Sequence, residues 1–170
     1  DKSTLIATAR FGLEMVVKNE LKVLGFKEIK ASDGKVEFDA TLDEIPKANL
    51  WLRSADRVFI KMGEFKTSSF DELFEKSKSL RWERFITDTG SITVNAKALK
   101  STLMSDRSCQ SIVKKAVVDR LKQHYGLEWL EESGPEYAIQ VTILRDTAVL
   151  SLDTSGTGLH RRGYRTRAGE

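Results

Sequence analysis

The apolar positions of this chain switch between a period of two and a helical period, and each switch marks an element. Residues 4–9 are apolar or hydroxylated throughout, as a short buried strand requires. After Phe11-Gly12, the residues Leu13, Val16, Val17, Leu21 and Leu24 recur at helical spacing until Gly25, a natural helix stop. Residues 28–31 and 35–40 flank Ser32-Asp33-Gly34, and Asp-Gly between two extended runs predicts a tight hairpin. Thr41 and Glu44 have the spacing of a capping box ahead of Ile45, Leu50 and Leu52, so a second helix is expected. Pro46 falls in its first turn, where a missing N–H does no harm. Val58, Ile60 and Phe65 then alternate loosely with polar residues, which predicts a further strand. The resulting order, βαββαβ, is the split βαβ or ferredoxin-like arrangement, complete by residue 66.

A second capping box, Ser69 with Glu72, opens a helix carrying Phe70, Leu73 and Phe74, and residues 80–85 predict a short helix after it. Ile92, Val94 and Ala96 alternate within a strand over 91–99. From Ser108, taken as the N-cap, the residues Ile112, Val113, Ala116, Val117 and Leu121 form the stripe of a long amphipathic helix ending at Tyr125-Gly126. Two β-rich runs, 137–144 and 148–153, are joined by Arg145-Asp146-Thr147 as a last hairpin. This second half reads ααβαββ. The expected class is α+β, an α/β sandwich of two consecutive domains.

Composition narrows the function. With 40% hydrophobic and 31% charged residues, the 170-residue chain is globular and long enough to bury a core. A single cysteine, Cys109, excludes a disulfide within the chain and points to a reducing, cytoplasmic compartment. No apolar run approaches the ~20 residues that cross a bilayer, so no membrane association is expected. The net charge of +3 hides a strong asymmetry. Residues 95–125 hold seven Lys and Arg against two Asp and Glu, residues 126–159 hold one against six, and residues 160–170 hold four against one.

Catalytic patterns are sparse. His124 and His160 have no partners at metal-ligand spacing. Ser111 and Lys114 match a Ser-x-x-Lys pair without its companion motifs, and Gly156-Thr-Gly158 lacks the third glycine of a dinucleotide loop, since Arg161 stands there. Cys109, near a helix start, is expected to seat that helix, and Trp51, Trp82 and Trp129 are expected in the core. The pattern left is electrostatic. Lys97, Lys100, Ser101, Arg107, Gln110, Lys114 and Lys115 surround a helix start, where free amides favour phosphate. Arg161, Arg162 and Arg165 add guanidinium groups suited to bidentate phosphate contact. On composition alone, the same residues also fit a solvated helix face.

The run from Lys97 to Lys115, the strand pair from Tyr137 to Asp153, and above all Asp153-Thr-Ser-Gly-Thr-Gly-Leu-His-Arg-Arg-Gly-Tyr-Arg165 resemble the bacterial THUMP-containing ribosomal RNA guanine-N2 methyltransferases. Ala7-Thr-Ala-Arg-Phe-Gly-Leu-Glu14 and the segment Ala48 to Arg57 match the same group. The resemblance implies a ferredoxin-like domain over 1–66, a THUMP RNA-binding domain over 67–155, and a basic linker over 156–170 leading to a C-terminal methyltransferase domain. It implies 23S ribosomal RNA as partner and S-adenosylmethionine as cofactor of the whole enzyme. The family's Asn-Pro-Pro-Tyr-type catalytic tetrapeptide has no counterpart, the only prolines being Pro46 and Pro135. The chain is therefore expected to bind RNA, to hold no cofactor and to be no enzyme itself. Two alternatives stay open: a THUMP module of a thiouridine-forming or deaminating enzyme, and a protein-interaction module whose helix 108–125 docks a partner helix.

Overall fold

A computed structural model of the protein describes residues 2–155 and Leu159. The chain folds as two compact units: residues 2–61 with 153–155, and Met62–Leu152.

In the first unit the elements follow the expected order. They are β1 (Lys2–Ala9), α1 (Glu14–Val23), β2 (Lys27–Ser32), β3 (Lys35–Thr41), α2 (Ile45–Trp51) and β4 (Ala55–Lys66), the last running on into the second unit. The strands lie in the order β2-β3-β1-β4, with β1 antiparallel to both β3 and β4. This places β1 at the centre, which explains its apolar composition: Leu5, Ile6 and Ala7 are all buried. Val17 and Leu21 of α1, Ala48 of α2 and the sheet residues Val36, Phe38 and Ile60 are all buried and form the core of this unit. Glu44 accepts from the Thr41 backbone N–H and hydroxyl, both at 3.0 Å, and a 3-10 turn over Leu42–Glu44 leads into α2. Residues 153–155 pack against this unit. The Thr154 hydroxyl donates to the Val58 carbonyl at 2.7 Å and accepts from Asn49 Nδ2 at 2.9 Å, while Arg57 meets Asp153 at 3.0 Å.

The second unit contains α3 (Phe70–Lys78), β5 (Ser91–Leu99), α4 (Asp106–Tyr125), β6 (Glu136–Leu144) and β7 (Thr147–Asp153). The short helix expected after α3 is a single 3-10 turn over Trp82–Arg84, because Trp82 is fully buried there and its indole donates to the Ser77 carbonyl at 2.7 Å. Strand β6 lies between β5, parallel to it, and β7, antiparallel to it, with α4 as the crossover from β5 to β6. The apolar stripe of α4, from Cys109 through Val113, Ala116 and Val117 to Leu121, packs on the face of the sheet formed by Ile92, Val94, Ile139, Val141 and Ile143. The other face carries Thr93, Asn95, Lys97, Gln140 and Thr142.

Of the three tryptophans expected in the core, only Trp82 is there; Trp51 is 54% and Trp129 68% exposed. Trp51 closes a helix of seven residues, too short to bury its last turn, and Trp129 lies in the loop after α4. No helix among the described residues is long and apolar enough to cross a membrane.

Candidate nucleic-acid interface

The basic segment converges on the junction of β5 and α4. Helix α4 starts one turn earlier than expected: Ser105, not Ser108, is the N-cap, and its hydroxyl accepts from the Ser108 N–H at 3.2 Å. Both serines are chemically able to cap, and the earlier start is favoured by Asp106, whose carboxylate accepts from the Ala98 N–H at 2.8 Å. β5 is the last strand of its sheet, so Asp106 satisfies a backbone donor on a free edge. Arg107 consequently lies inside the first turn of α4, exposed, and Gln110 is exposed one turn on.

Between strand and helix, the loop 100–105 is tied to the turn joining β6 and β7. The Asp146 carboxylate accepts from the Thr102 N–H at 2.6 Å and from the Thr102 hydroxyl at 3.1 Å. The Ser101 hydroxyl accepts from the Asp146 N–H at 3.1 Å and donates to the Leu99 carbonyl at 2.9 Å, and the Arg145 N–H reaches that carbonyl at 3.2 Å. Three non-glycine residues here have left-handed backbones: Lys100 (φ 47°), Arg145 (φ 49°) and Asp146 (φ 64°). Such conformations persist where the surroundings hold them in place, as these hydrogen bonds do.

The residues singled out from the sequence divide into three groups. Lys97, Lys100, Arg107 and Gln110 are exposed, and among the described residues they form no ion pair or side-chain hydrogen bond. Lys115 is exposed with its ammonium 5.7 Å from the Phe74 ring centre. Ser101 and Lys114 have structural partners instead. The only donor of Ser101 goes to Leu99, and the Lys114 ammonium donates to the Ile92 carbonyl at 2.7 Å and to Glu132 at 2.9 Å. Glu132 also takes the Ile92 N–H at 2.9 Å, so this pair covers the opposite end of the β5 edge from Asp106. Burial alone would raise the Glu132 pKa, but the Ile92 N–H and the Lys114 ammonium outweigh it and hold the carboxyl below its usual range. Arg161, Arg162 and Arg165 lie outside the described residues.

The cations do not form one continuous patch. Lys97 points from the uncovered face of the sheet, Lys115 rides on the helix that covers the other face, and Lys100 and Arg107 occupy the end between them. Arg145 is a residue that sequence reasoning treated only as a turn; it is exposed and sits beside Leu99 through its backbone bond. Nothing local in the sequence signals this, since the contact spans over forty residues. Cys109 is buried, and burial followed by the nearby Asp106 charge pushes its thiol pKa up, so it is an inert packing residue.

For a nucleotide-like cofactor, the described residues offer an apolar hollow lined by Val16, Asn19, Glu20, Val23, Leu24 and Trp51. Its one carboxylate, Glu20, is already engaged by the Arg53 N–H at 2.9 Å and the Ser54 hydroxyl. A charged sulfonium cofactor with a ribose needs free polar partners, so these residues do not fit it, and no methyl-transfer step is assigned to them.

Sequence comparison agrees with the two units. The RlmL ferredoxin-like domain matches residues 4–59 and the THUMP domain residues 67–153. A Bacillus subtilis protein named "Putative RNA methyltransferase YpsC" is 49% identical over 99% of this chain and 44% of its own length. A "Ribosomal RNA large subunit methyltransferase K/L" from Syntrophotalea carbinolica is 34% identical over 94% of this chain and 22% of its own. The crystal structure of "SMU.472, a putative methyltransferase complexed with SAH" superposes with a TM-score of 0.87 at 39% identity, covering 89% of this chain and 41% of that one. The chain thus spans less than half the length of each of these proteins. These matches correct the expectation that the chain is no enzyme: nearly its whole length aligns with proteins named as methyltransferases, so it groups with enzymes. The chain belongs to the THUMP domain family, with an RlmL ferredoxin-like domain ahead of the THUMP domain, and its relatives include proteins named as RNA methyltransferases.

Proposed function

We propose that this chain grips structured ribosomal RNA for an S-adenosylmethionine-dependent methyltransferase of the cytoplasm that modifies guanine N2 in the large-subunit RNA. The observation that carries the RNA grip is the set of exposed cations without carboxylate partners, Lys97, Lys100 and Arg107, at the β5–α4 junction of the THUMP unit. What distinguishes these three is that they stand together at one end of the THUMP unit with no ion pair among the described residues, and a phosphate backbone is a polyanion they match. Double-helical RNA hides its base edges in a deep, narrow groove, so backbone and shape contacts of this kind suit it. The large-subunit RNA and the cofactor are supported by the names of the relatives and by SAH in a similar structure, and the guanine N2 target by the sequence resemblance alone.

Two measurements test this. Filter binding of the chain to large-subunit RNA hairpins, with DNA duplexes of the same sequence as competitors, should show tighter binding to RNA; equal affinity for DNA would contradict an RNA grip. Supplying the full-length protein with methyl-labelled S-adenosylmethionine and deproteinised ribosomal RNA should place the label on guanine N2, and label on adenine would reject the base assignment.

A further inference from the structure

We propose that Asp146 is a positioning residue for RNA contact, holding the 100–105 loop so that Lys100 and Arg145 stand out together toward the phosphate backbone. The inference rests on the RNA-grip reading above and adds to it one cation, Arg145, and the device that places two of them.

Lys100 has no side-chain partner of its own among the described residues, so its direction is set by its backbone. That backbone is left-handed, a conformation that a lysine does not favour and that reverts unless the neighbours fix it. The residues that fix it are Ser101 and Thr102, and both are held by Asp146: the carboxylate takes the Thr102 N–H and hydroxyl, and the Asp146 N–H donates to Ser101 Oγ. Asp146 is itself anchored, since its carbonyl accepts from the Thr67 N–H at 2.8 Å. The same turn throws Arg145 outward on a second left-handed backbone, tied to Leu99 by its N–H. Two cations from strands 45 residues apart are therefore carried by one hydrogen-bonded tip rather than by two free loops. Preorganisation of this kind spares the ordering of flexible side-chain supports on binding. Asp146 keeps its negative charge, but both its carboxylate oxygens are taken up by Thr102 donors, which fits a structural role in the tip.

The test uses Asp146→Gly, which keeps the left-handed turn (glycine adopts it freely) while removing the carboxylate. Each lost phosphate contact lowers affinity about fivefold at 0.15 M salt and flattens the slope of log K against log salt by about 0.9. Asp146→Gly should lose at least what Lys100→Ala loses, on both measures, and Asp146→Asn, which keeps an acceptor for the Thr102 N–H, should recover most of it. Thr102→Val, which removes one of the two bonds and leaves the turn intact, should show a smaller loss in the same direction; it decides the matter should Asp146→Gly unfold. Amide exchange at Thr102 should accelerate in the variants that lose binding. A wild-type affinity and slope in folded Asp146→Gly, or in Thr102→Val, overturns the inference. If Lys100→Ala weakens binding in that case, only the role of Asp146 falls; if Lys97→Ala, Lys100→Ala and Arg107→Ala are all silent, the RNA-grip reading falls instead.

Discussion

Replacing Lys114 by methionine separates two roles that its charge and position make equally plausible from the sequence. The ammonium makes two hydrogen bonds, to the Ile92 carbonyl and to Glu132, while its stem lies along α4. Hydrogen bonds to charged groups contribute roughly 1.5–3 kcal/mol when buried. The two side chains are 39% and 31% exposed, so solvent screening brings the expected loss for Lys114→Met down to about 1–2 kcal/mol, with a coupling to Glu132 of about 0.5–1 kcal/mol. Urea unfolding of the single variants Lys114→Met and Glu132→Gln and of the double variant measures both quantities. The folded-state pKa of Glu132 is below its unfolded value, so the stabilisation is fully present above the ordinary glutamate pKa, ~4.3, and is lost as pH falls through the folded value. The gap between wild type and Lys114→Met should therefore narrow as the pH is taken below about 4, leaving the part that comes from the Ile92 carbonyl. RNA affinity and its salt slope should hardly change while the variant is folded. A variant of wild-type stability that binds RNA more weakly with a flatter slope would refute the edge-clamp assignment and return Lys114 to the RNA surface.

Other parts of the fold give sharper contrasts. A Cβ on Gly90 would lie 2.8 Å from Ile86 Cγ2 and 2.9 Å from Tyr137 Cε2, both on buried side chains, so Gly90→Ala should destabilise by about 1–3 kcal/mol in urea. Gly63→Ala meets mainly the flexible end of Leu80 and should shift the midpoint less. Cys109 should resist thiol reagents at pH 8 in the native state and react at the rate of a free thiol only in denaturant; fast native labelling would contradict its burial. Arg120 grips Glu83 through two bonds, Nε at 3.0 Å and a terminal nitrogen at 2.7 Å, so Arg120→Lys should lower stability by roughly 1 kcal/mol despite keeping the charge, and an unchanged unfolding midpoint would show the fork to be idle.

The first unit was legible because its period changes coincide with local signals: Gly25 at positive φ, Asp33-Gly34 between strands, and Thr41 with Glu44. All three act within a few residues. The start of α4 was placed three residues late because Ser105 and Ser108 are equally good caps, and the deciding contact, Asp106 with Ala98, is tertiary. The same limit applies to the candidate surface. Charge clustering marks Lys97, Lys100 and Arg107, but it cannot show that Lys114 is paired with Glu132, eighteen residues on, or that Ser101 has its hydroxyl turned inward. Arg145 and Asp146 were visible only as a turn, since their partners lie in the loop before α4.

The salt dependence of RNA binding by the triple variant Lys97→Ala, Lys100→Ala, Arg107→Ala tests the RNA grip most directly. At 0.15 M salt each phosphate contact is worth about 1 kcal/mol and about 0.9 in slope, so losing three should lower affinity roughly a hundredfold and flatten the slope by about 2.7. A triple variant that binds large-subunit RNA with wild-type affinity and slope would contradict it.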